Sequence, residues 1–170
     1  AFVMVLSWSR AVFVDFSFDM TSAAVVRGHV RAFQAFGGVP RHCLYDNMKT
    51  VVVERIGDVM RFHPRLLELA AHYHFAPRVC RPYRGNEKGR VERAIRYLRQ
   101  SFLAAREFTD LDDLRRQFAR WRDTVAHPRP CPQNTDISVE DAWQQEREYL
   151  LPLPEMPLHG TDVRAVCARK

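Results

Sequence analysis

Two carboxylates, Asp46 and Glu92, stand where their chemistry could matter. Asp46 follows the apolar run at 39–45, in Cys43-Leu-Tyr-Asp-Asn-Met-Lys49. Glu92 lies in Arg81-Pro-Tyr-Arg-Gly-Asn-Glu-Lys-Gly-Arg-Val-Glu-Arg93, which puts a loop, a helix start, a carboxylate and dense positive charge side by side. Two carboxylates brought together repel unless protonated or neutralised by a cation. Mg²⁺ favours hard oxygen ligands and keeps part of its water. Two such ions about 4 Å apart activate a water or a 3′-hydroxyl and stabilise a leaving oxygen. Two carboxylates are thin for two metals, and a third is expected. Arginines around the carboxylates suit phosphate, so the pattern points to chemistry on a nucleic-acid backbone. The plainer alternatives stay open at this point. Asp46-Asn47 also fits a turn after a strand, and Glu92 also fits a solvated helix residue paired with Lys88 or Arg96.

The elements that must position these groups follow from the apolar pattern. Residues 2–8 and 11–18 read as a β hairpin or meander whose near-continuous apolarity predicts burial on both faces. Thr21 or Ser22 caps a helix carrying Val26, Val30, Phe33 and Phe36 inward, and Gly37-Gly38 stops it. Residues 39–45 form a strand that delivers Asp46 at its carboxyl end, where α/β sheets place functional groups. A small extended piece at 51–53 and a Gly57-Asp58 turn follow. Pro64 opens a helix to about His74, with Leu66, Leu67, Ala70 and Tyr73 inward. Residues 76–80 make the next strand, and Pro82 to Gly85 a loop. A long helix over 86–106 turns Val91, Ile95, Leu98 and Phe102 inward, with Glu92 at the edge of that stripe. Thr109-x-x-Asp112 resembles a capping box for a helix packing Leu111, Leu114, Phe118, Trp121 and Val125. Pro128, Pro130 and Pro132 break the chain. Ser138-x-x-Asp141 starts a short helix with Trp143, and Pro152, Pro154 and Pro157 read as a linker. Strands mixed with helices predict an α/β sheet covered by helices. The divisions expected are a core at 1–126, a helical extension at 127–150, and a Pro-rich linker at 151–170 leading into a further domain.

Composition narrows the partners. The chain has 170 residues, 46% of them hydrophobic, and a formal net charge of +6. The excess suits an anionic partner. It is concentrated between Arg78 and Arg106, where Arg81, Arg84, Lys88, Arg90, Arg93, Arg96 and Arg99 face only Glu87 and Glu92. The cysteines are widely spaced and form no C-x-x-C, so neither a zinc knuckle nor a redox motif is indicated. His72-x-His74 lacks a third metal ligand nearby. No Walker motif is present, so ATP binding is not expected. The apolar opening at 1–8 is too short to span a membrane.

The stretches Ala35-Phe-Gly-Gly-Val-Pro-Arg41, Leu44-Tyr-Asp-Asn-Met-Lys-Thr50, Gly85-Asn-Glu-Lys-Gly-Arg-Val-Glu-Arg93 and Pro152-Leu-Pro-x-x-Pro157 carry a family likeness. With them the chain resembles the integrase core of DDE transposases, and most of all the IstA-like transposases of bacterial insertion sequences. The resemblance implies an RNase H-like fold, a mixed sheet flanked by helices, that cuts and joins DNA strands with Mg²⁺ or Mn²⁺. It gives Asp46 the family's second acidic position and Glu92 the last, the glutamate of K-G-x-V-E. It gives Lys88, Arg96 and Arg99 contacts to DNA phosphates beside the metals, which would orient the duplex with little sequence information. Tyr83, in the loop before the helix, is a candidate to stack on a displaced base. The family's first acidic residue sits on a first strand. Only two strands precede the first helix here, so that strand and its Asp are expected upstream of Ala1, with Asp15 the one rival. The expectation is therefore a transposase catalytic core fragment, an enzyme by family but inactive alone. The alternatives are a remnant that only binds DNA or oligomerises, and an RNase H-like nuclease with another substrate. Implied partners are transposon-end and target DNA, further copies of the chain and an ATPase helper, in the bacterial cytoplasm at the nucleoid and without a membrane.

Overall fold

The structure, a computed structural model, describes residues 1–19, 21–45, 52–56, 59–80 and 85–158; at 52–56, 59–60, 85–88 and 90–91 it describes the backbone alone. The chain opens with an antiparallel hairpin, β1 (Phe2–Val5) and β2 (Val12–Asp15), with Val3 opposite Val14 and Val5 opposite Val12. Side chains alternate across a strand, and both faces of this one are apolar. Val3, Val5, Val12, Val14 and Phe16 pack on one side with Leu98, Phe102, Leu114, Phe118 and Trp121. Phe2, Met4, Leu6 and Phe13 pack on the other with Ala32, Phe36, Cys131, Val139 and Ala142. The two-faced burial read from the run's apolarity is thus explained by helices above and below.

Helix α1 (Ser22–Phe36) starts at Thr21, whose hydroxyl accepts from the Ala24 amide, and ends at Gly37 with φ 73°. Only glycine adopts that left-handed conformation without cost, which is why the helix stops there. α1 serves two cores. Val26 and Phe33 meet Cys43, Tyr45, Leu69, Tyr73 and Phe75, whereas Ala32 and Phe36 meet the hairpin and the C-terminal helix. Its approach to β1 is close at Gly28, where an added Cβ would lie 2.5 Å from Phe2 Cγ.

β3 (His42–Tyr45) pairs in parallel with β6 (Ala76–Val79). Between them stand the antiparallel pair β4 (Val52–Ile56) and β5 (Val59–Phe62) and helix α2 (Pro64–Tyr73). The sequence suggested only a short piece at 51–53; β5 escaped notice because Met60-Arg61-Phe62 offers little alternation. In α2 Leu66, Ala70 and Tyr73 are buried as expected, but the fourth inward residue is Leu69, fully buried, and not Leu67, which is 47% exposed. His74 caps α2 at φ 58°.

The long helix is α3 (Gly85–Tyr97), continued by a π-helical segment, Leu98–Leu103. Leu98 and Phe102 are buried as expected. Helix α4 (Leu111–Trp121) is capped one residue later than expected, by Asp110, whose carboxylate accepts from the Asp113 amide at 2.7 Å. After α4 a second π-helical segment, Arg122–Ala126, changes the angular step, so Ala126 is buried and Val125 is 45% exposed. The proline-marked break holds a small antiparallel pair, β7 (Pro130–Cys131) and β8 (Asn134–Ser138). Ser138 and Asp141 form the expected capping box at the start of α5 (Val139–Arg147). Glu146 of α5 accepts from the Trp8 and Ser9 amides in the β1–β2 turn at 3.1 and 2.8 Å. Beyond α5, Val39 and Leu151 exchange backbone hydrogen bonds at 2.9 and 2.8 Å. No helix among the described residues is long and apolar enough to cross a membrane. The architecture is mixed α/β.

Candidate active site and nucleic-acid interface

The parallel register of β3 and β6 sets the geometry of the site. Tyr45 is the partner of Val79, and the Cys80 amide donates to the Tyr45 carbonyl at 2.9 Å. The chain therefore leaves both strands at the same edge, at residue 46 on one side and towards α3 on the other. Asp46 and Tyr83 lie outside the described residues.

A buried polar pair fixes the end of β3. Tyr45 Oη lies 2.8 Å from His29 Nε2, and His29 Nδ1 lies 2.7 Å from the Val25 carbonyl. The carbonyl only accepts, so Nδ1 carries the proton and Nε2 accepts from the tyrosine hydroxyl. Desolvation lowers the His29 pKa to about 4, against the opposing pull of the Val25 carbonyl. Burial raises the Tyr45 pKa, with Cys43 adding to the rise, and burial pushes the Cys43 thiol up to about 12. All three are neutral near pH 7, so the strand edge is held by a satisfied, uncharged network. His29 was missed in the sequence. The signal existed, because His29 falls three residues after Val26 and four before Phe33 on the apolar stripe of α1.

Glu92 and Arg96 are exposed on α3, and Arg99 is exposed on the π-helical continuation. Lys88 belongs to α3, but its side chain is outside the described residues. The inward face holds Leu98, buried against the hairpin, with Tyr97 partly buried beside it. The structure thus puts Glu92 and the two arginines on solvent-facing parts of one continuous rod.

Asp15, the rival for the first acidic position, is 6% exposed. Its carboxylate lies 2.9 Å from the Arg31 guanidinium and 3.9 Å from that of Arg115. Arg115 also donates to the Phe16 carbonyl at 2.7 Å. Asp15 is therefore a junction between the hairpin, α1 and α4. His72 Nε2 meets the Met156 carbonyl at 2.8 Å, while His74 serves as a helix cap. Among the described residues no group of three or more His, Cys, Asp or Glu side chains could hold a metal.

No family model matches the chain. Several curated proteins do. A protein of Geobacillus stearothermophilus named as a transposase for insertion sequence element IS5376 is 38% identical over 154 residues, covering 91% of this chain and 38% of its own length. The transposase for insertion sequence element IS21 of Pseudomonas aeruginosa is 38% identical over 127 residues, 74% of this chain and 32% of its own. The IS21-like transposase of Bacteroides fragilis is 30% identical over 163 residues, 92% of this chain and 31% of its own. The chain spans about a third of the length of these relatives. With identities of 30–38% to these proteins over 74–92% of its length, the chain belongs to the IstA-like transposases of IS21-type insertion sequences.

Proposed function

We infer that the chain is part of the catalytic core of a DNA transposase, in which Asp46 and Glu92 would hold Mg²⁺ or Mn²⁺. The observation that carries the reading is the common edge from which β3 and β6 lead to Asp46 and to α3. Kinship with proteins named as transposases supports it. The donor set fits the metal, since both groups are hard carboxylate oxygens and Glu92 is exposed enough to reach a cation. Bound there, the metal would supply electrostatic stabilisation of a phosphodiester under attack. The chain's own residues do the rest. The His29–Tyr45 pair holds the strand end preceding Asp46, and Lys88, Arg96 and Arg99 would orient backbone phosphates along α3. Tyr83 would stack on a displaced base.

The fold reading that goes with this function is RNase H-like. The hairpin and the β3–β6 pair both lie against α1, through Phe2 on His29 and Tyr45 on His29. They are separate sheets among the described residues. The RNase H-like reading puts between β1 and β3 a strand bearing the first acidic residue, and the ion-paired Asp15 leaves that position to such a strand. DNA ends and target, further copies of the chain and an ATPase helper would be its partners.

The test is strand transfer by the full-length protein. Asp46→Ala and Glu92→Ala should each abolish product while leaving DNA binding in place. Wild-type turnover in either variant overturns the assignment.

A further inference from the structure

Between the second π-helical segment and β7, the chain at 127–131 meets three neighbours in turn. His127 Nδ1 lies 2.6 Å from a carboxylate oxygen of Glu140 on α5. Arg129 holds its guanidinium over the Tyr97 ring of α3, 4.1 Å from the centroid. The Cys131 thiol lies 3.7 Å from the Trp8 and Ser9 carbonyls of the β1–β2 turn. The backbone of the same stretch is fixed as well. The Val139 amide donates to the Arg129 carbonyl at 2.9 Å, and the Glu140 amide to the His127 carbonyl at 3.0 Å. Arg129 therefore reaches α3 from a stretch that is anchored on both sides of it.

α3 needs such a hold. Beyond Tyr97 it passes into the π-helical segment, where Leu98 and Phe102 are buried and the Ser101 hydroxyl accepts from Trp121 Nε1 at 3.2 Å. That end is locked into the core. On the hairpin side, Ala94 and Tyr97 of α3 and Val5 and Val12 of the hairpin line a cavity of about 440 Å³. Protein interiors are ordinarily close-packed, so packing alone does not fix α3 there. Arg129 lines the same cavity and supplies a contact to Tyr97. A guanidinium over an aromatic face is held electrostatically, and more firmly when it is withdrawn from water. Arg129 Nε is buried without a hydrogen-bond partner among the described residues, and the Tyr97 ring faces the cation instead.

Glu92 lies ahead of Tyr97 on the same helix, about 7.5 Å along its axis at the rise of a regular turn. Groups that hold a metal must be placed closely, and residues behind the ligands commonly set that placement. We propose that Arg129 is a positioning residue for Glu92. Its contact with Tyr97 fixes where α3 presents that carboxylate, from a stretch that also ties down α5 and the β1–β2 turn. The role rests on the reading of Glu92 as a metal ligand; the hold on α3 does not.

The experiment uses the full-length protein with Arg129→Met, which keeps an apolar stem and removes the charge, and Tyr97→Phe, which keeps the ring. Hydrogen exchange reports the hold on α3 without any catalysis. Arg129→Met should speed exchange at the amides of residues 92–97 about fivefold or more. The α4 amides should keep wild-type protection, which separates a loosened α3 from a general loss of stability. Strand transfer read against Mn²⁺ concentration reports Glu92. In Arg129→Met the Mn²⁺ concentration for half-maximal product should rise about tenfold or more, with the rate recovered at saturating Mn²⁺. Tyr97→Phe should match the wild type in both assays. Wild-type exchange in Arg129→Met overturns the hold on α3. Faster exchange with an unchanged Mn²⁺ dependence overturns the positioning of Glu92, and so does an equal loss of product at every Mn²⁺ concentration. If Glu92→Ala transfers strands at the wild-type rate, the catalytic reading itself has failed and the positioning role falls with it, whatever the exchange of α3 shows.

Discussion

His29 shows what a single buried group contributes. Its imidazole is fully buried, meets Tyr45 and Val25, and touches the rings of Phe2, Phe33 and Phe75. Its pKa is depressed in the folded chain to about 4 from an ordinary 6.5. Above pH 6.5 both folded and unfolded chains carry it neutral, and the network is fully effective. As pH falls from 6.5 towards 4, the unfolded chain takes up the proton and the folded chain does not, so stability is lost across that window. The shift corresponds to about 3 kcal/mol. Urea unfolding at pH 7 and pH 5 should show most of this loss, and His29→Gln should flatten the response. An equal pH response in that variant would count against the imidazole. The residues of the candidate site itself were partly legible. Glu92, Arg96 and Arg99 could be placed on one helix because the apolar spacing around Leu98 and Phe102 fixed its direction. The tyrosine–histidine anchor at the end of β3 was not, because histidine on a helix stripe has no local mark that separates a buried partner from a packing residue.

At the scale of elements, close approach decides more than propensity. Gly28 stands in the middle of α1, where alanine would ordinarily favour the helix by about 0.5–1 kcal/mol. Here the added carbon would meet the Phe2 ring, with Cγ at 2.5 Å and Cδ1 at 2.7 Å. Overpacking of this kind costs roughly 1–3 kcal/mol, so Gly28→Ala should destabilise the chain by about 1 kcal/mol in chemical denaturation. In a Phe2→Ala background the same change should be neutral or stabilising; an equal loss there would rule out the ring as the cause. Elements with strong local punctuation were readable from the sequence. Thr21, Gly37, Pro64 and the Ser138–Asp141 box mark their helix ends by chemistry that needs no tertiary context. What could not be read were the two π-helical segments. Their wider step is set by packing around Phe102 and Trp121, and it moves Val125 out and Ala126 in. The β7–β8 pair was also hidden, since Pro130 and Pro132 read as a break.

For the molecule as a whole, the formal charge of +6 and the arginine-rich stretch leading into α3 predict a salt-sensitive partner. Each phosphate contacted releases counterions, so the affinity for duplex DNA should fall linearly on a log–log plot against salt. Arg96→Ala and Arg99→Ala should each reduce the slope by about one without changing sequence preference. A slope near zero for the wild type would remove DNA backbone from the list of partners. The mixed α/β class was visible in the alternation of strand and helix runs. The arrangement of strands into separate pairs was not, because pairing joins residues such as Tyr45 and Val79 that are far apart in sequence.

The antiparallel contact between Val39 and Leu151 has a mechanical consequence. From there residues 152–158 run back over α2, where the Met156 carbonyl meets His72 and the Leu158 amide meets the Tyr73 hydroxyl. Tension applied at Leu158 would thus be transmitted straight to the threshold of β3, bypassing α5. The segment behaves as a guy-rope moored three residues ahead of β3.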